Sequence, residues 1–180
     1  MHTPQPRLTA PGLTLRPWSP ADAPALAELY QDASLRRWTS APVHDEPSAA
    51  AWVAGQLRGW ETGTRLAFAV QDADGRLAGH VVVKRAAAGA DCADVGYWTA
   101  PHARGRGVAP RALRTLTDWA FATYAERGLT WLGLLHQAGN TASCRVAEKA
   151  GYELKDVLPA APPAFPQAGH LHVRRAPSNG

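Results

Sequence analysis

The sequence predicts an α/β domain with a mixed sheet, and three observations support this fold class. Short apolar runs, which are typical of strands, alternate with longer stretches whose apolar residues recur every three or four positions. Strand-like runs at residues 66–70 and 77–83 flank a turn signal at residues 72–75, as in a β-hairpin. A strand, a glycine-rich loop and a long helix follow one another between residues 94 and 126. Together these features indicate the order β-α-α-β-β-β-α-β-α-β-β.

The first half of the chain begins with one strand and two helices. Residues 13–18 are typical of a strand, and Ser19, which a proline follows, marks the start of a helix. Residues 36–42 are predicted to be a linker. Asp45 or Ser48 then caps a second helix. The apolar side of that helix carries Trp52, Val53, Leu57 and Trp60.

The second half opens with a long helix, predicted from apolar residues that recur between residues 108 and 124. Residues 129–135 form an apolar run, typical of a strand that is buried on both faces. A shorter helix over residues 140–150 ends at a glycine, a natural C-terminal stop. Residues 152–158 and 170–173 are predicted to be two closing strands. The proline-rich loop between them either covers a site or is an ordinary connector.

The composition fits one globular domain. Hydrophobic residues make up 46% of the 180 residues and charged residues 19%, which is too apolar for a disordered chain. Residues 1–11 hold three prolines and little apolar pattern, so we expect a flexible N-terminal arm, followed by a single domain at 12–176 and a tail at 177–180. No apolar run approaches the roughly 20 residues that cross a bilayer, and the polar start predicts a cytoplasmic protein.

The charge and the cysteines point to no nucleic-acid or metal partner. The net charge is +4, but no run of five or six basic residues and no nucleic-acid-binding signature accompanies it. We therefore expect neither nucleic acid nor membrane as a partner. Cys92 and Cys144 lie far apart and form no metal or redox spacing, which predicts two buried or incidental thiols and no bound metal.

The loop before the long helix suits a phosphate group. The first amides of a helix have no intrahelical partner and carry partial positive charge, while glycine lets a ligand approach the main chain. Arg104, Arg106 and Arg111 add positive charge, and Pro110 fits the first turn of a helix that begins near Gly107. The alternative is an ordinary strand-to-helix turn with solvated arginines, because such a pattern also arises by chance.

Several landmarks occur in a fixed order along residues 12–157. One is the loop formed by Arg104, Gly105, Arg106, Gly107, Val108 and Ala109. Residues 140–143 and 148–152 follow it, and residues 15–18 with Asp22 and residues 94–98 precede it. In this order the landmarks resemble the GNAT N-acetyltransferase superfamily, and the two preceding ones resemble its branch of RimJ/RimL-type ribosomal-protein N-acetyltransferases.

The resemblance implies a mixed, mostly antiparallel sheet of about seven strands with four helices, whose central strands are splayed to hold acetyl-CoA. The amides of residues 104–109 would cradle the pyrophosphate of this co-substrate. Tyr97, Trp98 and Thr99 would bond the pantetheine arm as an added strand would, and Asn140 would bond it from the other side. Asn140 also suits the N-cap of the helix that follows, and the two roles are compatible.

Direct acetyl transfer needs an unprotonated amine, a stabilised oxyanion and a proton for the departing sulfur. Many family members carry a tyrosine seven residues after the asparagine, where this chain has Ala147. We expect Ser143 to replace it as the group that bonds the sulfur, as the resemblance to the RimJ/RimL-type branch implies. The alternative is that Ser143 and Asn140 cap each other. Asp94 is the candidate base, acting through water, unless it is only a solvated carboxylate at the strand end.

Three histidines are further candidates for the base. His80 lies in an apolar strand and is predicted to be a core residue, while His170 and His172 on the last strand remain open. Four aromatic residues are candidates for lining the acceptor pocket, although tryptophan at helical spacing usually belongs to a core. They are Trp38, Trp52, Trp60 and Tyr97.

The predicted acceptor is a primary amine. An α-amine is roughly a tenth neutral at pH 7, whereas a lysine amine is neutral about once in 2,500 molecules. An enzyme with a weak acid and an uncertain base therefore suits an α-amine, on a small molecule, a peptide or the N-terminus of a ribosomal protein. The alternative is a non-catalytic acyl-CoA-binding module. Either a monomer or a homodimer is compatible with the sequence.

Overall fold

The computed structural model describes residues 5–85 and 90–177, and the predictions for residues 1–4, 86–89 and 178–180 lie outside the described residues. The strands are β1 (Leu8–Ala10), β2 (Leu13–Pro17), β3 (Arg65–Asp72), β4 (Leu77–Lys84), β5 (Cys92–Thr99), β6 (Trp131–Gln137), β7 (Glu153–Leu158) and β8 (Gly169–Arg175). The α-helices are α1 (Ala23–Leu29), α2 (Ala33–Trp38), α3 (Glu46–Thr62), α4 (Val108–Tyr124) and α5 (Thr141–Lys149). None of the helices in the described part of the chain has the length and apolar character needed to cross a membrane.

The eight strands form one sheet in the order β1-β2-β3-β4-β5-β6-β8-β7. Every neighbouring pair is antiparallel except β5 and β6, which are parallel. The helix α4 makes the crossover between these two strands, as a parallel connection requires. The predicted α/β class with a mixed, mostly antiparallel sheet is confirmed, with one strand and one helix more than expected.

The parallel pair of strands separates halfway along its length. Pairing runs from Cys92 and Trp131 to Val95 and Leu134, where it stops. Beyond that point β5 stays paired with β4 up to Thr99, and β6 stays paired with β8. The two halves of the sheet therefore diverge, and the predicted splay of the central strands is confirmed.

The sheet carries a hydrophobic core on each face. The helix α4 packs on one face and buries Leu113 and Leu116 completely, while α1 and α3 cover the other with Leu26 and Val53. These residues recur at helical spacing, which explains why the sequence predicts both helices. The side chain of Leu135 departs from the prediction that its strand is buried on both faces. It is 45% exposed, because it lies where β6 has left β5.

Two short elements form where the sequence predicts irregular chain. The strand β1 lies inside the predicted arm and pairs Leu8 with Leu15 of β2. The helix α2 covers part of the predicted linker at residues 36–42. The Asp32 carboxylate caps α2 by accepting a hydrogen bond from the Leu35 N–H at 2.9 Å. Neither element is long enough to show a periodic pattern, so tertiary contacts decide their conformation.

We predict opposite effects for two alanine substitutions in α3. A Cβ at Gly59 would lie 2.6 Å from both the Cβ and the carbonyl oxygen of Arg65, so Gly59→Ala pushes α3 away from β3. Overpacking of this kind costs about 1–3 kcal/mol of unfolding free energy. Gly55→Ala is the matched control, since its Cβ would meet only the Arg58 side chain at 3.7 Å. It should stabilise the helix by roughly 0.5–1 kcal/mol. Chemical denaturation measures both, and equal unfolding free energies for the two variants would contradict the packing of α3 on β3.

Candidate active site

An open cleft of about 740 Å³ occupies the gap between the splayed strands. Residues of β4, β5 and β6 form its floor, the loop before α4 and the start of α5 form one end, and α2 with the segment after it forms the opposite wall. The proline-rich loop at residues 159–168 contributes none of the described residues that line this cleft. The structure therefore offers no support for that loop as a cover.

The loop at the mouth of the cleft presents unused main-chain donors. Gly105 and Gly107 have φ angles of 73° and 68°, a left-handed conformation that glycine adopts without strain. The main-chain N–H groups from Gly105 to Ala109 donate to no acceptor within the described residues. Gly107 is the N-cap of α4, so these donors lie at the N-terminal end of a 17-residue helix, which carries partial positive charge. An anion is the natural partner for such an arrangement.

The Arg111 side chain holds this loop in shape. Its guanidinium donates to the carbonyl oxygens of Gly107 and Arg106, each at 3.0 Å. It also donates to the carbonyl of Pro11, in the turn between β1 and β2. The sequence predicts Arg111 only as a positive charge near the loop. The structure shows that each of its three nitrogens already donates to the main chain.

The Arg104 side chain connects the loop to the opposite wall. Its guanidinium lies 2.7 Å from a carboxylate oxygen of Asp32, the residue that caps α2. This ion pair, together with the hydrogen bond from Leu35, lowers the pKa of Asp32. Asp32 was not predicted as a site residue, and its only signal in the sequence is that Asp suits an N-cap.

A tyrosine and a serine meet across the splay. The Tyr97 hydroxyl on β5 lies 2.7 Å from the Ser143 hydroxyl on α5, and both residues line the cleft. Burial raises the pKa of Tyr97, so its phenol is protonated at neutral pH. The sequence predicts Ser143 but not its phenol partner. Ala147, at the position where many family members carry a tyrosine, is buried, and the phenol beside Ser143 belongs to the strand β5.

Asn140 and Ser143 do not cap each other reciprocally. The Asn140 side chain caps α5 by accepting from the Ser143 N–H at 3.3 Å. The Ser143 hydroxyl faces Tyr97 instead of the main chain of Asn140, so the alternative of mutual capping is wrong. Asn140 also lines the cleft, and its two predicted roles remain compatible.

The other predicted strand residues divide between the two faces of β5. Trp98 and Thr99 line the cleft with Tyr97, and the Trp98 ring stacks on His80 with a centroid distance of 5.7 Å. Asp94 shares its face with Trp98 because alternate residues of a strand point the same way. Its main chain pairs with Gly133, in the part of β5 that is still joined to β6, and it is not one of the described residues that line the cleft. Its role as the base stays a prediction.

His80 is the core residue that the sequence predicts. It is 4% exposed, and its Nδ1 accepts a hydrogen bond from Trp18 Nε1 at 3.1 Å. Burial lowers the pKa of His80 well below its ordinary value, so the imidazole is neutral. His170 and His172 are not among the described residues that line the cleft. Both rings lie beside the ring of His136, which does line it.

Two of the three tryptophans proposed for the acceptor pocket lie in the cleft. Trp38 and Trp52 line it, but Trp60 does not. The Trp60 ring packs 5.1 Å from that of Phe68, and its Nε1 donates to the carbonyl of Ala67 at 2.9 Å. The prediction for Trp60 is wrong because the ring covers the sheet at the far end of α3.

The described lining of the cleft carries basic residues and no carboxylate. Its cations are Arg65, Lys84, Arg104, Arg145 and Lys149. Arg104, Arg145 and Lys149 lie at the end that holds the loop and α5, while Arg65 and Lys84 face each other across β3 and β4. The Nε of Arg65 donates to the Gln56 side chain at 2.7 Å, and no carboxylate of the described residues forms an ion pair with it. The cleft therefore attracts anions at both ends.

A sheet that opens between two parallel strands, with a helix N-terminus and free amides at the mouth of the gap, defines a class of acyltransferase enzymes. A family model described as an acetyltransferase (GNAT) domain matches residues 12–153. The chain therefore belongs to the GNAT acetyltransferase family. No curated protein sequence matches it significantly.

Solved structures agree on the fold. Mycobacterium smegmatis RimJ in complex with CoA-disulfide has a TM-score of 0.81 and 23% identity, and the match covers 95% of this chain and 86% of that one. RimL, a ribosomal L7/L12 α-N-protein acetyltransferase solved with coenzyme A, has a TM-score of 0.82, 20% identity and coverages of 94% and 98%. The microcin C7 self-immunity acetyltransferase MccE, solved with acetyl-CoA and AMP, has a TM-score of 0.82, 17% identity and coverages of 97% and 98%.

Proposed function

We propose that the protein transfers an acetyl group from acetyl-CoA directly to a primary amine, and that its best acceptors are α-amines. One observation carries the proposal: a single cleft joins the free amides of residues 105–109 to the Tyr97–Ser143 pair. A long donor with a diphosphate at one end and a thioester at the other suits this layout. RimL, by its name, acetylates a ribosomal protein at its α-amine, so protein N-termini are among the proposed acceptors.

The donor fits the residues that are present. The amides from Gly105 to Ala109 would bind the pyrophosphate, and Arg145 and Lys149 add positive charge from α5. The pantetheine arm would lie along the edge of β5 that β6 has left, where main-chain groups have no strand partner after Val95. Asn140, the N-cap of α5, would approach the same arm from the opposite side. The gap in the sheet supports such a donor, because an extended arm would complete the pairing that the strands lack.

The Tyr97–Ser143 pair supplies the proton that the reaction requires. In acetyl transfer the amine nitrogen bonds to the carbonyl carbon, the carbon–sulfur bond breaks, the nitrogen loses a proton and the sulfur gains one. Ser143 would donate to the sulfur and recover a proton from the Tyr97 phenol at 2.7 Å. The nitrogen would release its proton to water, and water would return one to the phenol. A thiol needs little help to leave, since its pKa is about 8.5. Main-chain N–H groups of β5 would stabilise the oxyanion.

The charges in the cleft assist the amine. Arg65 and Lys84 line the side of the cleft where Trp52 and His80 lie, and positive charge nearby lowers the pKa of an ammonium group. The acceptor can therefore lose its proton without a carboxylate base in the cleft. The same charges favour an acceptor that carries a carboxylate near its amine, and they disfavour polyamines.

The first test is an amine panel with a thiol reagent that detects released coenzyme A. We expect turnover with α-amines, faster with Asp- or Glu-containing peptides than with Lys-containing ones, and little turnover with polyamines. Arg65→Gln should reduce the preference for acidic peptides by at least about tenfold, the equivalent of one charged hydrogen bond of roughly 1.5 kcal/mol. Arg58→Gln is the control, because Arg58 lies on α3 but is not among the described residues that line the cleft. Binding of acetyl-CoA without turnover of any amine would favour the non-catalytic module instead.

Gly107→Val should weaken acetyl-CoA binding by at least about tenfold. Valine at a φ of 68° is strained by roughly 1–3 kcal/mol and places methyl groups beside the free amides. Gly63→Val is the matched control, because Gly63 has a φ of 69° at the end of α3 and lies outside the cleft. Calorimetric titration with acetyl-CoA measures both variants. Equal affinities in the two variants would show that the loop does not hold the donor.

Ser143→Ala should lower kcat by about a hundredfold, the lower end of the roughly 10²–10⁴-fold contribution of a proton donor, because a thiol needs little help to leave, while acetyl-CoA binds as before. Tyr97→Phe keeps the serine but removes its 2.7 Å partner, so it should lower kcat less. Steady-state kinetics at saturating acetyl-CoA, with binding measured separately, distinguishes turnover from affinity. An unchanged kcat in Ser143→Ala would remove Ser143 from the mechanism.

A further inference from the structure

Three histidines and one cysteine converge beside the cleft. His136 on β6 pairs in register with His170 on β8, and His172 follows two residues later on the same face of β8. Cys144 of α5 lies against these rings. One ligand atom of each residue lies within 4.8 Å of those of the other three. We call these four residues the His/Cys cluster.

Three of the six separations within the His/Cys cluster match the edges of a metal tetrahedron, and the other three are at most 4.8 Å. Zinc bonds of about 2.0–2.1 Å to nitrogen and 2.3 Å to sulfur place two nitrogens about 3.3 Å apart and nitrogen and sulfur about 3.6 Å apart. The Nε2 atoms of His136 and His172 are 3.2 Å apart. The Cys144 sulfur lies 3.5 Å from His136 Nε2 and 3.3 Å from His170 Nδ1.

The hydrogen bonding of His136 orients a lone pair into the cluster. Its Nδ1 lies 2.7 Å from the carbonyl oxygen of Gln137, which can only accept, so Nδ1 carries the proton. The Nε2 of neutral His136 is then unprotonated and faces Cys144 and His172. A ligand histidine whose other nitrogen donates to a main-chain carbonyl is the usual arrangement in metal sites. His172 has no such support, since its buried Nδ1 has no partner within the described residues.

We propose that His136, Cys144, His170 and His172 bind a zinc-type divalent metal ion as a closed, structural site. Nitrogen and thiolate ligands in a tetrahedral set favour Zn²⁺ over Mg²⁺ or Ca²⁺, which prefer oxygen. Four protein ligands leave no open position for a substrate, so the ion takes no part in acetyl transfer. Binding would displace the thiol proton and join α5 to β6 and β8.

A cysteine–histidine nucleophile is a poorer interpretation of the same residues. A nucleophilic pair needs one imidazole beside the sulfur and an approach for the substrate. Here three imidazoles surround the sulfur region, and Cys144 is not among the described residues that line the cleft. His136 does line the cleft and gives an ion a route to the cluster.

The sequence predicts two buried or incidental thiols and no metal, because the cysteines lie far apart and His80, His170 and His172 show no metal-binding spacing. The register of β6 and β8 creates the grouping.

Cys144 follows Ser143 on α5, so an ion held by Cys144 would also fix the helix that presents Ser143 and Asn140 to the cleft.

The test uses the full, untagged chain after treatment with a chelator. Titration with Co²⁺ should give one ion per chain, with the intense visible bands of a tetrahedral site and a thiolate-to-cobalt charge-transfer band that Zn²⁺ removes by displacement. Zn²⁺ should raise the Tm, whereas Mg²⁺ should not. Absence of stoichiometric binding of both Co²⁺ and Zn²⁺ would overturn the proposal and leave a hydrogen-bonded His/Cys network.

Variants locate the ion. Cys144→Ser should abolish the charge-transfer band. Cys144→Ser and His170→Asn should each weaken Zn²⁺ binding by at least about 10–100-fold, which is the usual effect of replacing a residue that only supports a metal ligand. Both positions are partly exposed, and circular dichroism of the metal-free variants checks their folding. Cys92→Ser is the matched control and should keep the band and the affinity. Unchanged binding in Cys144→Ser and His170→Asn, or loss of the band in Cys92→Ser, would place the ion elsewhere and refute the cluster as its site.

Discussion

The structure depends on the point at which β5 and β6 stop pairing. Up to Val95 and Leu134 the two strands share main-chain hydrogen bonds, and beyond them each strand is held only by its outer neighbour. A sheet interior with unpaired edges is costly unless something completes the pairing. An extended ligand that satisfies these edges would therefore gain affinity from main-chain groups that the strands leave unpaired. The cleft, the exposure of Leu135 and the meeting of Tyr97 with Ser143 all follow from this divergence.

Electrostatics divides the cleft into two functional halves. At the donor end, uncompensated amides and three basic side chains suit a phosphate group. At the other end, Arg65 and Lys84 stand among aromatic rings without a carboxylate in the described lining. The field of these cations would favour the neutral form of the proposed amine acceptor. This is an alternative to removing the proton with a dedicated base such as Asp94.

Strong local patterns explain what the sequence could predict. The hairpin of β3 and β4 and the long helix α4 have clear periodicity, and the glycine positions of the loop have a conformational reason that can be stated from the residues alone. Side-chain roles that depend on tertiary contacts were harder to predict. Alternation along β5 can assign Tyr97 to a face, but it cannot show that Ser143 comes within 2.7 Å. Likewise, the periodicity of α3 groups Trp52 with Trp60, although only the first reaches the cleft. The His/Cys cluster needs the register of two strands that are distant in sequence.

The contact between Arg111 and the turn at Pro11 ties the beginning of the chain to the anion-binding loop. The short strand β1 and its turn thus act as a buttress for residues that lie about a hundred positions further along. Shortening the chain at its N-terminus would remove one of the three carbonyls that hold the guanidinium. A fusion or cleavage product that disturbs this turn would therefore change the loop before α4 without touching the cleft itself, which makes residues 8–12 part of the support for that loop.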